Sequence, residues 1–270
     1  MALKNLMVHL DSGERSAARL ALAVGLARAH GARLTGVFAQ RAAAQRVGVV
    51  STWPSPEYAA ARDASRAAFE QAAAGLVGAE WIDINRGGDA EVLRLFTNHA
   101  RHADLVVLGQ RNPATSDMLP EEFVLDVVQE CGRPVLIVPY AGSFTELGQR
   151  VMVAWSDSRE AAHAVNDALP LLTACKDCWV VSFAARHEDA DVSCAGMVRH
   201  LGDHGIKARP EVLVVDDFGI MDLLLNRVSD RSADLLVMGA HGHIGFPFLS
   251  RGAGTRYILQ HMTVPVLMSC

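Results

Sequence analysis

The sequence predicts an α/β fold made of two tandem copies of one unit, each a five-stranded parallel sheet between helices. Short apolar runs, typical of buried parallel strands, alternate along the chain with longer segments of helical periodicity. Such alternation implies right-handed crossovers and a sheet covered on both faces. The same order of strands and helices then repeats in the second half. With 50% hydrophobic residues, the chain has enough apolar side chains for two cores.

The first half is expected to contain five strands and four helices, followed by a linker over 140–148. The predicted strands are 5–10, 33–38, 81–84, 104–108 and 133–138, and the predicted helices are 15–30, 57–77, 90–100 and 123–129. Gly31 stands where the first helix needs a C-cap, and Asp89 is placed to N-cap the third helix. A polar connection marked by Ser and Pro is expected over 42–56.

The second half repeats this order. Its predicted strands are 151–155, 178–183, 211–215, 234–238 and 263–268, and its predicted helices are 159–172, 191–204, 220–228 and 256–261.

The repeat is also visible in the letters of the sequence. Residues 7–12 match 152–157, residues 103–109 match 233–239, and residues 133–138 match 264–269. We therefore expect two domains, 1–145 and 146–270.

Composition excludes several functional classes. The formal net charge is -5 and the pI is about 6.1, so no basic face is predicted for nucleic acid or an anionic membrane. The N-terminus does not resemble a signal peptide, and no apolar run is long enough to span a bilayer. Five unevenly spaced cysteines favour free thiols in a reducing compartment. These features predict a soluble cytoplasmic protein.

A glycine-rich loop over 239–255 follows a predicted strand and leads into a predicted helix. Glycines let backbone N–H groups approach an anion, and a helix start adds unpaired N–H groups and a positive dipole end. His241, His243, Arg251 and Arg256 could add positive charge. The loop lacks both the P-loop Lys-Ser/Thr and the dinucleotide fingerprint. By itself it fits a phosphate site or a plain turn equally well.

With the repeat and this loop, the chain resembles the universal stress protein family in its tandem two-domain form. The resemblance rests on the first strand and turn of each half, on the Gly-x-x-Gly loop, and on the final Pro-Val-Leu strand. Gly239, Gly242 and Gly252 fit the spacing of the family's nucleotide-binding branch. The resemblance implies Rossmann-like domains, with a ligand outside the carboxyl ends of the first and fourth strands.

The resemblance implies a stress-response protein that binds ATP or another adenine nucleotide, with Mg as an option, and acts through partners. The implied cofactor-binding residues are Ala154, Ser156, Asp157, Met238, Gly239, His241, Gly242, Gly252, Ala253, Gly254 and Thr255. Ser156 stands where nucleotide-binding relatives carry an aspartate, and Ala253 stands where they carry Ser or Thr. No catalytic residue is predicted, so at most slow ATP hydrolysis is expected.

The first half departs further from the binding pattern. Residues 109–112 read Gly-Gln-Arg-Asn and lack the second glycine, and Glu121 and Glu122 fall where Gly252 would align. Carboxylates at a helix start repel phosphate. Nucleotide binding is therefore expected only in the C-terminal half, and the first half is left as a packing partner or a site for an uncharged ligand.

The two final strands, 134–138 and 265–268, are expected to pair, because an exposed apolar edge strand promotes aggregation. The implied partners are thus a small-molecule nucleotide and the other half of the same chain, with a homodimer as a further option. No nucleic acid or membrane partner is expected.

Two other functions remain open from the sequence. One is a scaffold that binds no nucleotide. The other is a redox or metal-binding module that uses Cys175 and Cys178, which form a C-x-x-C motif. Redox motifs of this kind follow a strand and open a helix. Here the motif leads from a helix into a strand, which favours structural thiols.

Overall fold

The computed structural model describes residues 2–42, 45–47, 50–52, 54–85, 88–184, 187–214, 219–241 and 252–270. Contacts along the chain divide it into two compact units, residues 2–133 and residues 134–270. None of the helices in the described part combines the length and apolarity needed to cross a membrane.

The first unit contains four parallel strands, a separate hairpin, four α-helices and a 3₁₀-helix (Pro113–Met118) among its described residues. In chain order they are β1 (Asn5–Leu10), α1 (Ser16–His30), β2 (Arg33–Phe38), β3 (Gln45–Val47), β4 (Val50–Thr52), α2 (Pro56–Ala72), β5 (Glu80–Asp83), α3 (Asp89–Ala100), β6 (Leu105–Gly109) and α4 (Phe123–Glu130). The parallel strands lie in the order β6-β1-β2-β5.

Local sequence signals explain several element boundaries of this unit. Gly31 ends α1 in the left-handed region with φ 60°, and its N–H donates to carbonyls of the last helical turn. The predicted C-cap is therefore present. Ser55 N-caps α2, because its hydroxyl accepts a hydrogen bond from the N–H of Tyr58. The helix ends at Ala72, and Gly75 and Gly78 follow it with positive φ.

Two local predictions for the first unit were wrong. The connection over 42–56 contains β3 and β4, which pair as an antiparallel hairpin. Asp89 is the first residue of α3, and Gly88 occupies the N-cap position without a side-chain cap. The Asp89 carboxylate instead binds the Arg41 guanidinium, with an Nη2–Oδ2 distance of 2.7 Å. An acid in the first turn still interacts favourably with the helix dipole.

The second unit contains six strands and four helices among its described residues. They are β7 (Val135–Val138), β8 (Arg150–Ala154), α5 (Arg159–Leu172), β9 (Asp177–Ala184), α6 (His187–Asp203), β10 (Ala208–Val214), α7 (Ile220–Asp230), β11 (Leu235–Gly239), α8 (Ala253–His261) and β12 (Val266–Ser269). The strand order is β10-β9-β8-β11-β12-β7. The first five strands are parallel, and β7 runs antiparallel to β12.

Pairing of β7 with β12 places Ile137 beside Val266 and Val135 beside Met268. All four side chains are buried. The expected pairing of the two Pro-Val-Leu strands is therefore present, and it lies inside the second unit. The predicted domain boundary near residue 145 follows from the sequence repeat, and it stays a prediction. The division into units by contacts falls earlier, between residues 133 and 134, so that β7 belongs to the second unit.

Candidate functional site

The candidate site lies at the carboxyl edge of the second unit's sheet, between β8 and β11. These strands are parallel neighbours, with Met238 in register with Ala154. From β8 the chain proceeds to β9 on one side, and from β11 to β12 on the other. The strand order reverses between β8 and β11, which is where open α/β sheets bind ligands. The turn after β8 therefore lies at the same edge as Ala240 and His241, which follow β11.

Gly239 ends β11 against the first turn of α5. A methyl group on its α-carbon would lie 2.5 Å from the Ala161 nitrogen and 2.6 Å from the Glu160 carbonyl carbon. Both are backbone atoms that cannot move without the helix. Only glycine permits this approach, so Gly239 has a packing role here in addition to any contact with a ligand.

His241, two residues after the end of β11, contacts the start of α8 at Thr255 and Gly252. The His241 N–H donates to Thr255 Oγ1 at 2.8 Å, and the Thr255 side chain is buried. Gly252 has φ 84°, and a methyl group there would lie 2.6 Å from the His241 ring. Gly252 is therefore required both by its backbone conformation and by the ring beside it.

The predicted loop residue Gly242 lies outside the described residues, as do His243 and Arg251.

The first turn of α8 offers backbone N–H groups to an anion. The Arg256 N–H closes the first helical turn onto the Gly252 carbonyl at 3.1 Å. The N–H groups before it, on Ala253, Gly254 and Thr255, are those that a helix leaves without an intrahelical partner. This turn contains no acidic residue. The helix dipole and these N–H groups together favour a negatively charged group.

The turn after β8 presents short polar side chains. Asp157 has φ 52°, a conformation that Asp tolerates better than most residues, and it is exposed. The hydroxyls of Ser156 and Ser158 lie 3.1 Å apart. Ser158 also N-caps α5 by accepting from the Ala161 N–H at 3.1 Å. Sequence reasoning missed this cap, although a serine directly before the predicted helix is its usual signal.

The corresponding edge of the first unit, between β1 and β6, is occupied by an arginine. Arg19 is buried and donates from Nη2 to Asp11 Oδ2 at 2.9 Å and from Nε to the His9 carbonyl at 2.6 Å. The other Asp11 oxygen accepts from the Gly13 N–H at 2.8 Å. A methyl group on Gly109 would overlap the Arg19 guanidinium. Both carboxylate oxygens of the half-buried Asp11 therefore have partners within the first unit.

His9 completes this buried network. Its Nε2 lies 2.7 Å from the Ala39 carbonyl, and its Nδ1 lies 3.5 Å from Asp11 Oδ2. The rings of Phe96 and Phe123 pack against it at centroid distances of 5.6 and 5.7 Å. The imidazole is thus enclosed by aromatic rings, with polar contacts only at its two nitrogens.

The burial of His9 and its contacts with Asp11 and Arg19 shift the pKa values of His9 and Asp11. Burial, and then the positive charge of Arg19, lower the pKa of His9 to about 4, although Asp11 and the Ala39 carbonyl favour the protonated ring. Burial by itself would raise the pKa of Asp11, but Arg19, His9 and the Gly13 N–H together hold it below its ordinary value. At neutral pH the pair is a neutral imidazole and a carboxylate matched by Arg19.

Helix α4, the next α-helix after β6, begins directly after two acidic residues. Glu122 is the N-cap of α4, and Glu121 precedes it. Arg111 Nη1 lies 3.3 Å from Glu121 Oε1, so this cation is already paired with an acid. The first unit therefore offers carboxylates where the second unit offers the first N–H groups of α8.

The structure gives no support to a metal site among the residues that it describes, since no three His, Cys, Asp or Glu side chains gather there. A cavity of about 320 Å³ opens on the first unit, at the amino ends of its strands. It is lined by Asn5, Leu6, Met7, Arg33, Thr35, Glu80, Ile82, His99, His102 and Ala103.

Comparison with known proteins supports the fold. The model of the universal stress protein family matches residues 2–139. The structure is similar to a universal stress protein from Archaeoglobus fulgidus, with a TM-score of 0.68, 16% identity, and coverage of 98% of this chain and 97% of that one. No curated protein matches the chain.

Two structures from Pseudomonas aeruginosa are also similar. One is a candidate universal stress protein, with a TM-score of 0.59, 15% identity, and coverage of 99% of this chain and 93% of that one. The other is a protein of unknown function, with a TM-score of 0.59, 14% identity, and coverage of 99% and 92%. Likeness along both halves confirms the predicted tandem α/β fold.

Replacing Gly239 with Ala is expected to destabilise the second unit by about 1–3 kcal/mol, because the new methyl group meets backbone atoms of α5. Gly196→Ala is the matched control, since a methyl group there meets nothing within 4 Å and alanine favours the helix. Urea denaturation measures both changes. Equal stability of the two variants would contradict the packing role of Gly239.

The buried imidazole predicts a dependence of stability on pH. The unfolded chain protonates His9 near its ordinary pKa of 6.5, whereas the folded chain does so only near 4. The free energy of unfolding should therefore fall as pH falls from about 6.5 to 4, by roughly 3 kcal/mol from this residue. His9→Gln should reduce the slope, and His200→Gln, at an exposed position, should keep it. An NMR titration in which the His9 ring protonates near pH 6.5 would disprove the assignment.

Proposed function

The chain belongs to the universal stress protein family in its tandem form, and on that premise we propose that it binds one adenine nucleotide, in its second unit. The proposed site is the carboxyl edge between β8 and β11, with the phosphates at the start of α8. ATP is the expected ligand, with Mg²⁺ bound mainly through the phosphate oxygens. The protein would then act through partners that respond to the bound nucleotide.

The observation that carries this proposal is the difference between two equivalent helix starts. In the second unit, α8 begins at Gly252 with positive φ and has no acid in its first turn. In the first unit, α4 begins after Glu121 and at Glu122. A triphosphate carries several negative charges, so the first arrangement favours it and the second repels it.

The remaining predicted residues suit the base and ribose. Ala154 ends β8 and lies in register with Met238 of β11, and their half-buried and buried side chains offer apolar contact. Ser156 and Asp157 follow β8 with hydroxyl and carboxylate groups that match ribose or amine hydrogen bonds. In the first unit the aspartate after β1 is bound to Arg19 instead.

The phosphate contacts would be made mostly by the backbone. Thr255 is buried, with its hydroxyl against the His241 N–H, and Ala253 carries no hydroxyl. Charge-assisted N–H bonds to phosphate are worth roughly 1.5–3 kcal/mol each. The N–H groups of Ala253 and Gly254 could therefore provide a substantial part of the affinity without side-chain help.

A scaffold that binds no nucleotide is the competing function. It is favoured by two departures from the family's binding pattern, namely Ser156 in place of an aspartate and Ala253 in place of Ser or Thr. The two functions differ in whether purified protein binds ATP at all.

Titration of ATP with magnesium into three proteins tests the proposal. Wild type should bind one equivalent per chain. Ala253→Glu should weaken binding by on the order of a hundredfold, because it places a carboxylate in the first turn of α8. Ala253→Gln is the matched control with similar size and no charge, and it should retain most of the affinity.

A loss of affinity in Ala253→Glu would report on binding and not on unfolding, because an acid in the first turn stabilises a helix. Ala253 is half-buried, so a longer side chain can extend towards solvent. Two equivalent sites in wild type, or equal affinities of the Glu and Gln variants, would contradict the proposal. Absence of binding in wild type would contradict the proposal and favour the scaffold function.

A further inference from the structure

The cavity of the first unit has one face of the sheet as its floor. The strand register places Asn5 beside Arg33, and it places Thr35 between Met7 and Glu80. Side chains in register on neighbouring strands lie on the same face, and so do residues two apart on one strand. These five residues, all of which line the cavity, therefore belong to a single face of the sheet.

The end of α3 forms a wall of the cavity. His9 lies two residues after Met7, on the same face of the sheet, and its ring packs against Phe96 of α3. Helix α3 therefore covers this face. One turn later the helix ends, and the His102 N–H donates to the His99 carbonyl at 3.2 Å. Both histidines line the cavity.

The backbone around the cavity is fixed by hydrogen bonds. Asp104 Oδ2 accepts from the N–H groups of Lys4 and Asn5 at 2.7 and 2.9 Å. The Arg33 N–H donates to the Lys4 carbonyl at 2.8 Å. A methyl group on Gly78 would lie 2.9 Å from Arg33 Cγ, so the stem of Arg33 lies against this glycine. The cavity is therefore formed before any ligand enters it.

The lining divides into an apolar floor and a charged rim. Met7 is buried and Ile82 is half-buried. At the rim, Arg33 Nη2 lies 3.9 Å from Glu80 Oε2, and the two side chains are 60% and 57% exposed. That distance is longer than a charge-assisted hydrogen bond. Exposed pairs of this kind contribute little to stability, so each charge can bind a ligand instead.

Neutral polar groups complete the lining. Within the described part of the chain, no hydrogen bond engages the side chains of Thr35, His99 and His102. A hydroxyl and two imidazoles can donate or accept hydrogen bonds. The volume of about 320 Å³ is at the lower end of the roughly 300–1,000 Å³ found for ligand sites. The size of the cavity therefore fits a small molecule.

We propose that this cavity binds a small zwitterion with an apolar side chain, the class of the apolar α-amino acids. The ligand carboxylate binds the Arg33 guanidinium, whose planar fork suits two carboxylate oxygens. The ligand ammonium binds the Glu80 carboxylate, and the apolar side chain packs on Met7 and Ile82. The site does not depend on nucleotide binding, because its residues all belong to the first unit.

The two opposite charges of the rim determine the class of ligand. A carboxylate without an amine would bind Arg33 but would also lie beside the negative charge of Glu80. An amine without a carboxylate would bind Glu80 but would lie beside the positive charge of Arg33. Like charges placed together disfavour the wrong ligand. A zwitterion satisfies both residues at once, so it is selected over either half.

An NMR titration of the isotope-labelled full chain with L-leucine tests the proposal. Saturable shifts are expected at the amides of Thr35, Ile82 and His102. Isocaproate has the same skeleton without the amine, and isoamylamine has it without the carboxylate. Each of these two should bind about tenfold more weakly or worse, because one charge of the rim then has no partner in the ligand.

Substitutions at the rim provide the second test. Arg33→Gln and Glu80→Gln should each weaken leucine binding by about tenfold or more. Arg94→Gln and Glu91→Gln are the matched controls, since these residues form a similar exposed pair at 3.8 Å and do not line the cavity. Both controls should keep the wild-type affinity.

Absence of leucine binding, equal binding of the three ligands, or shifts confined to residues outside the cavity would overturn the proposal. So would equal affinities of the rim variants and their controls. ATP binding by Arg33→Gln should stay within a few-fold of wild type. Failure of the amino-acid site can therefore be distinguished from failure of the nucleotide proposal.

Discussion

The arrangement of both units depends on the absence of a side chain at the end of the fourth strand. In the second unit, Gly239 lets the backbone of α5 lie directly against β11. In the first unit, Gly109 occupies the equivalent place, and the space beside it holds the guanidinium of Arg19. The missing side chain therefore makes room for the backbone of α5 in the second unit and for the buried Arg19 guanidinium in the first.

This difference accounts for the contrast between the two carboxyl edges. Because Arg19 lies at the edge of the first unit, Asp11 has an internal partner and His9 remains neutral. The sequence repeat aligns Arg19 with Ala164, which is buried in α5. Among the described residues, the second unit therefore carries no cation at that place, and Asp157 after β8 is exposed. The proposed loss of nucleotide binding in the first unit thus has a steric and an electrostatic basis.

Much of the fold was predictable because periodicity and caps are local signals. The bounds of α5 agree with the expected 159–172, and Gly31 caps α1 as expected. The hairpin of β3 and β4 was missed because each strand has only three residues, too few to show alternation. The expected cap at Asp89 was wrong because a distant partner, Arg41, binds that carboxylate. Such long-range pairing leaves no local pattern.

The candidate site was predictable only in outline. The resemblance to the family implied which loop and which turn would share an edge, and the register of β8 with β11 brings the ends of those two strands together. Spacing could not show that Gly239 packs against α5, or that Thr255 anchors His241. It also could not show that Arg19 binds Asp11, because that contact joins a strand end to a helix interior. Each of these roles depends on a tertiary approach and not on sequence neighbours.

Hydrogen–deuterium exchange of the whole chain, with and without saturating ATP and magnesium, tests the central claim of two unequal edges most directly. The account predicts slower exchange in peptides that cover the turn after β8, the end of β11 and the start of α8. Peptides that cover the end of β1, the end of β6 and the start of α4 should exchange at unchanged rates. Equal protection of both edges, or protection confined to the first unit, would contradict the account.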